Sequence, residues 1–128
     1  MSRILIAEDD RISQKLAAKI VEELGHTAFV SPHGKHAYEA LKAGNDFDLL
    51  LTDIMMPEMD GQEALRKIRE LEEQRGISPP NGAKIVMTTA LDDPKNVIAA
   101  YQNLCDTYII KPIQKKMLLE ALRKLKLI

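Results

Sequence analysis

A doubly wound, five-stranded parallel α/β sheet with five helices is the fold class this sequence predicts, and three observations carry it. Five short apolar runs alternate with five longer amphipathic segments along the chain. Three of the runs are almost continuously apolar, as parallel strands covered on both faces require. No repeat, low-complexity tract or linker breaks the alternation. Right-handed crossovers then turn five successive βα units into a doubly wound sheet.

The first run, Ile4-Leu5-Ile6-Ala7, leads into a helical segment with Ile12, Leu16, Ile20 and Leu24 on one face. Gly25 stands where that helix should stop. Thr27-Ala28-Phe29-Val30 is the second strand, followed by a short helix marked by Ala37, Tyr38 and Leu41 and ended near Gly44. Leu49-Leu50-Leu51-Thr52 is the third strand. Asp60 and Glu63 form a capping box for the third helix, whose buried face is Ala64, Leu65, Ile68 and Leu71. The stretch from Gly76 to Gly82, with Pro79-Pro80 inside it, is the one extended loop. Lys84-Ile85-Val86-Met87-Thr88 is the fourth strand. Asp93-Pro94 supplies an N-cap and a first-turn proline for a fourth helix bearing Val97, Ile98, Tyr101 and Leu104. Tyr108-Ile109-Ile110 and a last helix with Leu118, Ala121, Leu122 and Leu125 close the series.

Composition narrows the class. The 128 residues suit one domain, residues 1–128, with a core that needs no disulfide or metal staple. Apolar residues at 45% and charged residues at 29% exclude a disordered chain. A formal charge of -1 argues against direct nucleic-acid binding, which calls for a basic excess. The basic run in the last segment (Lys111, Lys115, Lys116, Arg123, Lys124 and Lys126 against Glu120) reads as a solvated face or a docking surface for an acidic partner. One cysteine, Cys105, cannot form an internal disulfide and is expected to be a packing residue. No apolar run approaches the roughly 18 residues that span a bilayer, and Glu8, Asp9 and Asp10 interrupt any signal-peptide pattern. A cytoplasmic location without membrane insertion is the expectation. His26, His33 and His36 share no metal-ligand spacing and are expected at the surface.

In a sheet of this kind, ligands bind beyond the carboxyl ends of the strands, where the strand order reverses. Strand one runs into Glu8-Asp9-Asp10, strand three into Asp53, strand four into Thr88-Thr89 and strand five into Lys111-Pro112. Several carboxylates, a hydroxyl and a lysine thus converge on one edge. Carboxylates that close repel one another. A hard divalent cation relieves the conflict, and magnesium, which takes one or two carboxylates and keeps several waters, fits best. Dinucleotide and flavin phosphates fit badly, because Glu8-Asp9-Asp10 stands where a phosphate-binding turn would be. Asp10 has the position of an N-cap for the first helix.

LIAEDD at the first strand, LLLTDIMMPEMDG at the third, VMTTA at the fourth and YIIKP at the fifth occur in an order and spacing that resemble one family. That family is the response-regulator receiver domain, the CheY-like module of two-component signalling, and the likeness runs over essentially the whole chain. It implies a flavodoxin-like sheet of order 2-1-3-4-5. It also implies that Asp53 accepts a phosphoryl group from a sensor histidine kinase or phosphotransfer protein, with magnesium present. Asp9 resembles the direct metal ligand, beside Asp53 and the backbone carbonyl of Met55, with Glu8 acting mainly through bound water. Glu8 stands where many receivers have aspartate. Thr89 resembles the switch hydroxyl that binds a phosphoryl oxygen, and Lys111 the lysine that bridges acceptor and phosphate. Asp53, Lys111 and Thr89 are therefore the expected catalytic set. The bond from Lys111 to Pro112 is typically cis in relatives, and Tyr108 matches the aromatic switch.

Phosphorylation is expected to act on the face made by the fourth helix, fifth strand and fifth helix, for a downstream protein that the sequence does not name. The module is expected to be a monomer or a phosphorylation-dependent dimer. It is no conventional enzyme, but one that takes phosphate from phosphohistidine or small donors and loses it slowly. Met55 and Leu91 flank the expected approach of the hydrolytic water and cannot orient it, so the acyl phosphate should persist. With Ile128 as its last residue, the module is expected to act through a separate partner or to be an excised fragment. Two rivals remain open: a receiver-like binding module that signals without phosphorylation, and a metal-dependent phosphohydrolase. The second lacks the aspartate it needs two places after Asp53, where Met55 stands. Leu104, where receivers commonly carry glycine, puts the entry to the fifth strand in question.

Overall fold

The computed structural model of the chain describes residues 3–43, 47–53, 61–77, 84–89, 95, 98 and 105–127. Five parallel strands form one sheet: β1 (Arg3–Ala7), β2 (Thr27–Ser31), β3 (Leu49–Asp53), β4 (Lys84–Thr89) and β5 (Thr107–Ile110). Their order is β2-β1-β3-β4-β5, as the resemblance implied. The three continuously apolar runs occupy the three central positions, and β3 is buried at every residue. The edge strands β2 and β5 alternate or face outward instead.

Alternation along the central strands divides the core in two. Ile4, Ile6, Leu49, Leu51 and Val86 point to one face, where α1 (Arg11–Glu23) and the C-terminal helix (Lys115–Lys124) cover them with Ala17, Ile20, Val21, Leu118 and Leu122. Leu5, Ala7, Leu50, Ile85 and Met87 point to the other, under α2 (Gly34–Lys42) and α3 (Gly61–Gln74) with Ala37, Leu65 and Ile68. Helices on both faces make the sheet doubly wound. Among the described residues there are these four helices, and Lys95 and Ile98 are also helical. The rest of the expected fourth-helix face, with Leu104, the Asp93-Pro94 cap, Gly44, Asp60 and the loop from Ser78 to Ala83, lies outside the described residues.

One helical face differs from expectation. Ile12 is 79% exposed and Leu16 is also exposed, while Ala17, Ile20 and Val21 are buried. A repeat of four residues drifts around a helix of 3.6 residues per turn, so the stripe beginning at Ile12 reaches the core only in its second half. His26, expected at the surface, is buried just after α1. Gly25, at φ +89, makes the left-handed turn that ends α1 and lets the His26 amide reach the Val21 carbonyl. His33 is the N-cap of α2, its ring accepting from the His36 amide, and His36 Nδ1 bonds the Ser31 hydroxyl at 2.7 Å. Both are thus structural groups at the end of β2.

Two polar connections hold elements together. The Arg75 guanidinium, just past α3, donates to the carbonyls of Leu41 and Lys42 and so closes the carboxyl end of α2. Asp106 accepts from the Ile85 amide at 2.7 Å and from Arg69 at 3.1 Å, and its own amide donates back to the Ile85 carbonyl. Arg69 also pairs with Glu72 at 2.7 Å. This part-buried triad ties α3 to β4 and fixes where β5 begins. Neighbouring Cys105 is buried, and burial followed by the Asp106 charge pushes its thiol up to about 11. It is a packing residue of the core beneath α2 and α3. Among the described residues, no helix is long and apolar enough to cross a membrane.

Candidate functional site

Parallel strands place their carboxyl ends on one edge, and the candidate residues gather there. β1 and β3 are neighbours, with Ala7 paired to Thr52, so Glu8 and Asp53 are the next residues of adjacent strands. β4 lies beyond β3, with Asp53 paired to Thr88. Thr89 is one step further along and pairs with Ile110. The Lys111 amide donates to the Thr89 carbonyl at 2.8 Å, which brings the end of β5 to the same edge. The Lys111–Pro112 bond is cis.

The centre of the arrangement is one lysine between two carboxylates. Lys111 Nζ donates to Asp53 Oδ2 at 2.6 Å and to Glu8 Oε2 at 3.1 Å. Glu8 and Asp53 are buried and Lys111 is half-buried, so these are charge-assisted bonds in a partly dried site. Burial opposes the Lys111 charge, but the bonds and charges of Asp53 and Glu8 outweigh it and hold its pKa above the ordinary lysine value. Burial, and then the Asp53 charge, raise Glu8 against the opposing pull of Lys111 and of the Asp10 amide.

That shift has a sign. A carboxyl whose folded pKa is raised contributes stability below its unfolded value, near 4.5, and loses it as pH climbs through the folded value. Lys111→Met removes the cation that restrains Glu8. Its pKa should then rise further, and the window in which acid favours the fold should extend upward. An NMR titration of the Glu8 carboxyl carbon reads this, and an unchanged midpoint would mean that Lys111 does not balance the charge here.

Glu8, Asp9 and Asp53 each offer a carboxylate oxygen, and these oxygens lie within 4.8 Å of one another. Two oxygens on one magnesium ion stand at most about 4.2 Å apart, so the cluster fits such an ion after small side-chain movements. Asp9 is exposed and the other two are buried, which leaves one side of the cluster to water. Asp10 stands apart as the N-cap of α1: its carboxylate accepts from the Ser13 amide at 2.9 Å and the Ser13 hydroxyl at 2.7 Å. Those bonds, side chain first and then backbone, hold its pKa below the usual aspartate value.

Glu8, Asp9, Asp53, Thr89 and Lys111 therefore share one edge. Tyr108 sits on β5 three residues before Lys111, 37% exposed between buried Thr107 and Ile109. Met55 and Leu91 lie outside the described residues. Sequence reasoning missed the Glu8–Lys111 contact and the Arg69–Glu72–Asp106 triad. The one available signal for the first was side-chain length, glutamate instead of aspartate at position 8. Nothing in the sequence pairs Arg69 with a residue 37 places away.

Comparison with known proteins agrees with this geometry. The family model for the response regulator receiver domain matches residues 4–123. A probable histidine kinase of Oryza sativa subsp. japonica is 33% identical over 94% of this chain, which spans only 13% of that protein's length. The response regulator receiver protein CpdR of Brucella abortus is 38% identical over 75% of this chain and 80% of its own. Among solved structures, the receiver domain of a histidine kinase from Syntrophus aciditrophicus superimposes with a TM-score of 0.81 at 28% identity, covering 98% of this chain and 89% of that one. The receiver domain of a Saccharomyces cerevisiae response regulator, crystallised with a histidine phosphotransfer protein, gives a TM-score of 0.85 at 26% identity, covering 94% and 85%. The chain belongs to the response regulator receiver family and is a phospho-accepting domain of that class.

Proposed function

We infer that Asp53 is the phosphoryl acceptor of a receiver domain formed by residues 1–128, supplied by a histidine kinase or a phosphotransfer protein. The observation that carries this reading is Lys111 Nζ at 2.6 Å from Asp53 Oδ2, at the carboxyl edge of the sheet and beside two further carboxylates. An Asp53 oxygen attacks the phosphorus of a phosphoimidazole. The new O–P bond forms as the P–N bond breaks, and the electron pair of the broken bond stays on the departing imidazole. Lys111 offsets the charge that builds on the phosphoryl oxygens, because its ammonium already lies against the attacking carboxylate. Asp9, Asp53 and the Met55 carbonyl would hold magnesium, with Glu8 beside them. Bound there, magnesium would supply Lewis acidity toward the phosphoryl group and would screen the carboxylates from it.

The acyl phosphate exchanges about one negative charge for about two and adds acceptor oxygens. Thr89, at the end of β4, is the hydroxyl we assign to donate to one of them. The response passes to β5, an edge strand whose Tyr108 faces outward, and, as the receiver resemblance implies, to the fourth and fifth helices. The downstream partner is a protein, and the setting is the cytoplasm.

A small acyl-phosphate donor tests the reading without any partner. With magnesium, intact mass should show one added phosphoryl group, and chelation should abolish it. Failure to label under both conditions would favour a binding module that signals without phosphorylation. Asp9→Ala should weaken magnesium binding about tenfold or more, since it deletes an expected direct ligand. Equal affinity by calorimetric titration would place the ion elsewhere.

A further inference from the structure

Glu8 occupies an unexpected place. Its main chain is pinned on both sides: the Glu8 amide donates to the Ser31 carbonyl, and Gln14 Nε2 donates to the Glu8 carbonyl. Its carboxylate is engaged at both oxygens. Oε1 accepts from the Asp10 amide at 3.3 Å, and Oε2 accepts from Lys111 at 3.1 Å. The side chain is almost fully buried, so water competes little for either bond. Glu8 is thus tied to the lysine through one oxygen and to the Asp10 amide through the other, although it stands within reach of Asp9 and Asp53.

From this we propose that Glu8 is a latch on Lys111, and that holding the lysine in a two-carboxylate clamp lowers the domain's affinity for its divalent cation. The inference rests on the reading of Asp9 and Asp53 as the cation's ligands. A lysine ammonium carries three donors and one charge. Two of the donors are spent on Glu8 and Asp53, and the charge neutralises the carboxylates a cation would otherwise find. A cation entering the cluster competes with Lys111 for Asp53 and gains little from Glu8 while the latch is closed. Domains of this geometry with a freer lysine would fill at lower cation concentration.

Side-chain length makes the latch possible. Aspartate at this place ends one carbon–carbon bond, about 1.5 Å, earlier. Since the amide and carbonyl of Glu8 are both anchored, the main chain does not slide to make up the gap. From the 3.1 Å contact of Glu8, the oxygen would retreat to as much as roughly 4.6 Å from Nζ, beyond hydrogen-bond range. Glu8→Asp therefore keeps the charge and opens the latch. Glu8 acts through Lys111, as a positioning residue.

The experiment is a double-mutant cycle read by magnesium titration, with Glu8→Asp measured in the wild-type and in the Lys111→Met background. Glu8→Asp alone should tighten magnesium about fivefold, the scale of one hydrogen-bonded pair exchanged against water. In the Lys111→Met background the same change should matter less than about twofold, because nothing remains to be released. No tightening in the single variant overturns the proposal. Equal tightening in both backgrounds overturns it as well, since the effect would then belong to side-chain length and not to the lysine. A readout on the unaltered chain guards against a misfolded variant: the NMR signal of the Glu8 carboxyl carbon should move on magnesium saturation, and an unmoved signal means the latch never opens. Failure of the underlying reading looks different, because the wild-type chain would then take no phosphoryl group whatever these affinities are.

Discussion

Asp53→Asn should leave the chain without a phosphoryl group after incubation with an acyl-phosphate donor and magnesium. The labelling rate should fall by more than about a thousandfold, because an amide oxygen lacks the anionic pair that forms the O–P bond. The substitution is close to isosteric. The introduced amide still presents an oxygen to Lys111, and Lys111 keeps its bond to Glu8, so the lysine stays at the site. Asp53 ends a strand buried at every position, and its register with Thr88 involves only the backbone. The fold should therefore survive, which far-UV circular dichroism would confirm. Intact mass then separates the outcomes. Label retained in Asp53→Asn would shift the acceptor to Glu8 or Asp9, the two other carboxylates of the cluster.

Asp106→Ala should produce the largest loss of stability of any polar substitution considered for this chain. One oxygen, Oδ2, serves both the Ile85 amide and the Arg69 guanidinium. Ile85 is fully buried and the Arg69 side chain is only 9% exposed. Removing the carboxylate strands a backbone donor and takes a counter-charge from a largely buried cation, at a cost of about 3 kcal/mol. For a domain of this size that corresponds to a fall of roughly 10 °C in melting temperature. Asp106→Asn keeps an oxygen for the Ile85 amide but gives up the charge, so it should cost about half as much. A thermal melt of the two variants distinguishes these terms. Equal losses would mean that the bond to the Ile85 amide contributes nothing, and an unchanged melt for Asp106→Asn would mean that the Asp106 charge contributes nothing to holding Arg69. The effect also reaches the site, because Asp106 precedes the strand that delivers Lys111.

Much of this architecture was legible as pattern. Continuous apolarity at Ile4–Ala7, Leu49–Leu51 and Ile85–Met87 marked the strands that proved central, since only a strand covered on both faces excludes polar residues. Residues at strand ends were legible too, because every strand of a parallel sheet ends on the same edge. Glu8, Asp9, Asp53, Thr89 and Lys111 are spread over more than a hundred positions, yet each follows or closes an apolar run. The weak places were those where periodicity and burial part company. Ile12 and Leu16 continue a four-residue spacing that a helix of 3.6 residues per turn carries away from the sheet. His26 is polar by type and buried by position, just past the glycine that turns the chain back to β2.

By itself, then, the sequence determined the layer order, the two apolar faces and the set of charged groups on the carboxyl edge. All of these follow from local periodicity and from the rule that parallel strands end together. Only the tertiary structure decided how those charges are shared. Which carboxylate Lys111 reaches depends on how far β5 extends past β4, and that follows from the Thr89–Lys111 backbone bond and the Asp106 clamp. Whether Glu8 faces a cation or the lysine depends on a single carbon–carbon bond of reach, measured from a main chain held by Ser31 and Gln14. Hydrogen bonds vanish within about an ångström of misplacement, and no pattern of residue types along a chain carries distances to that precision.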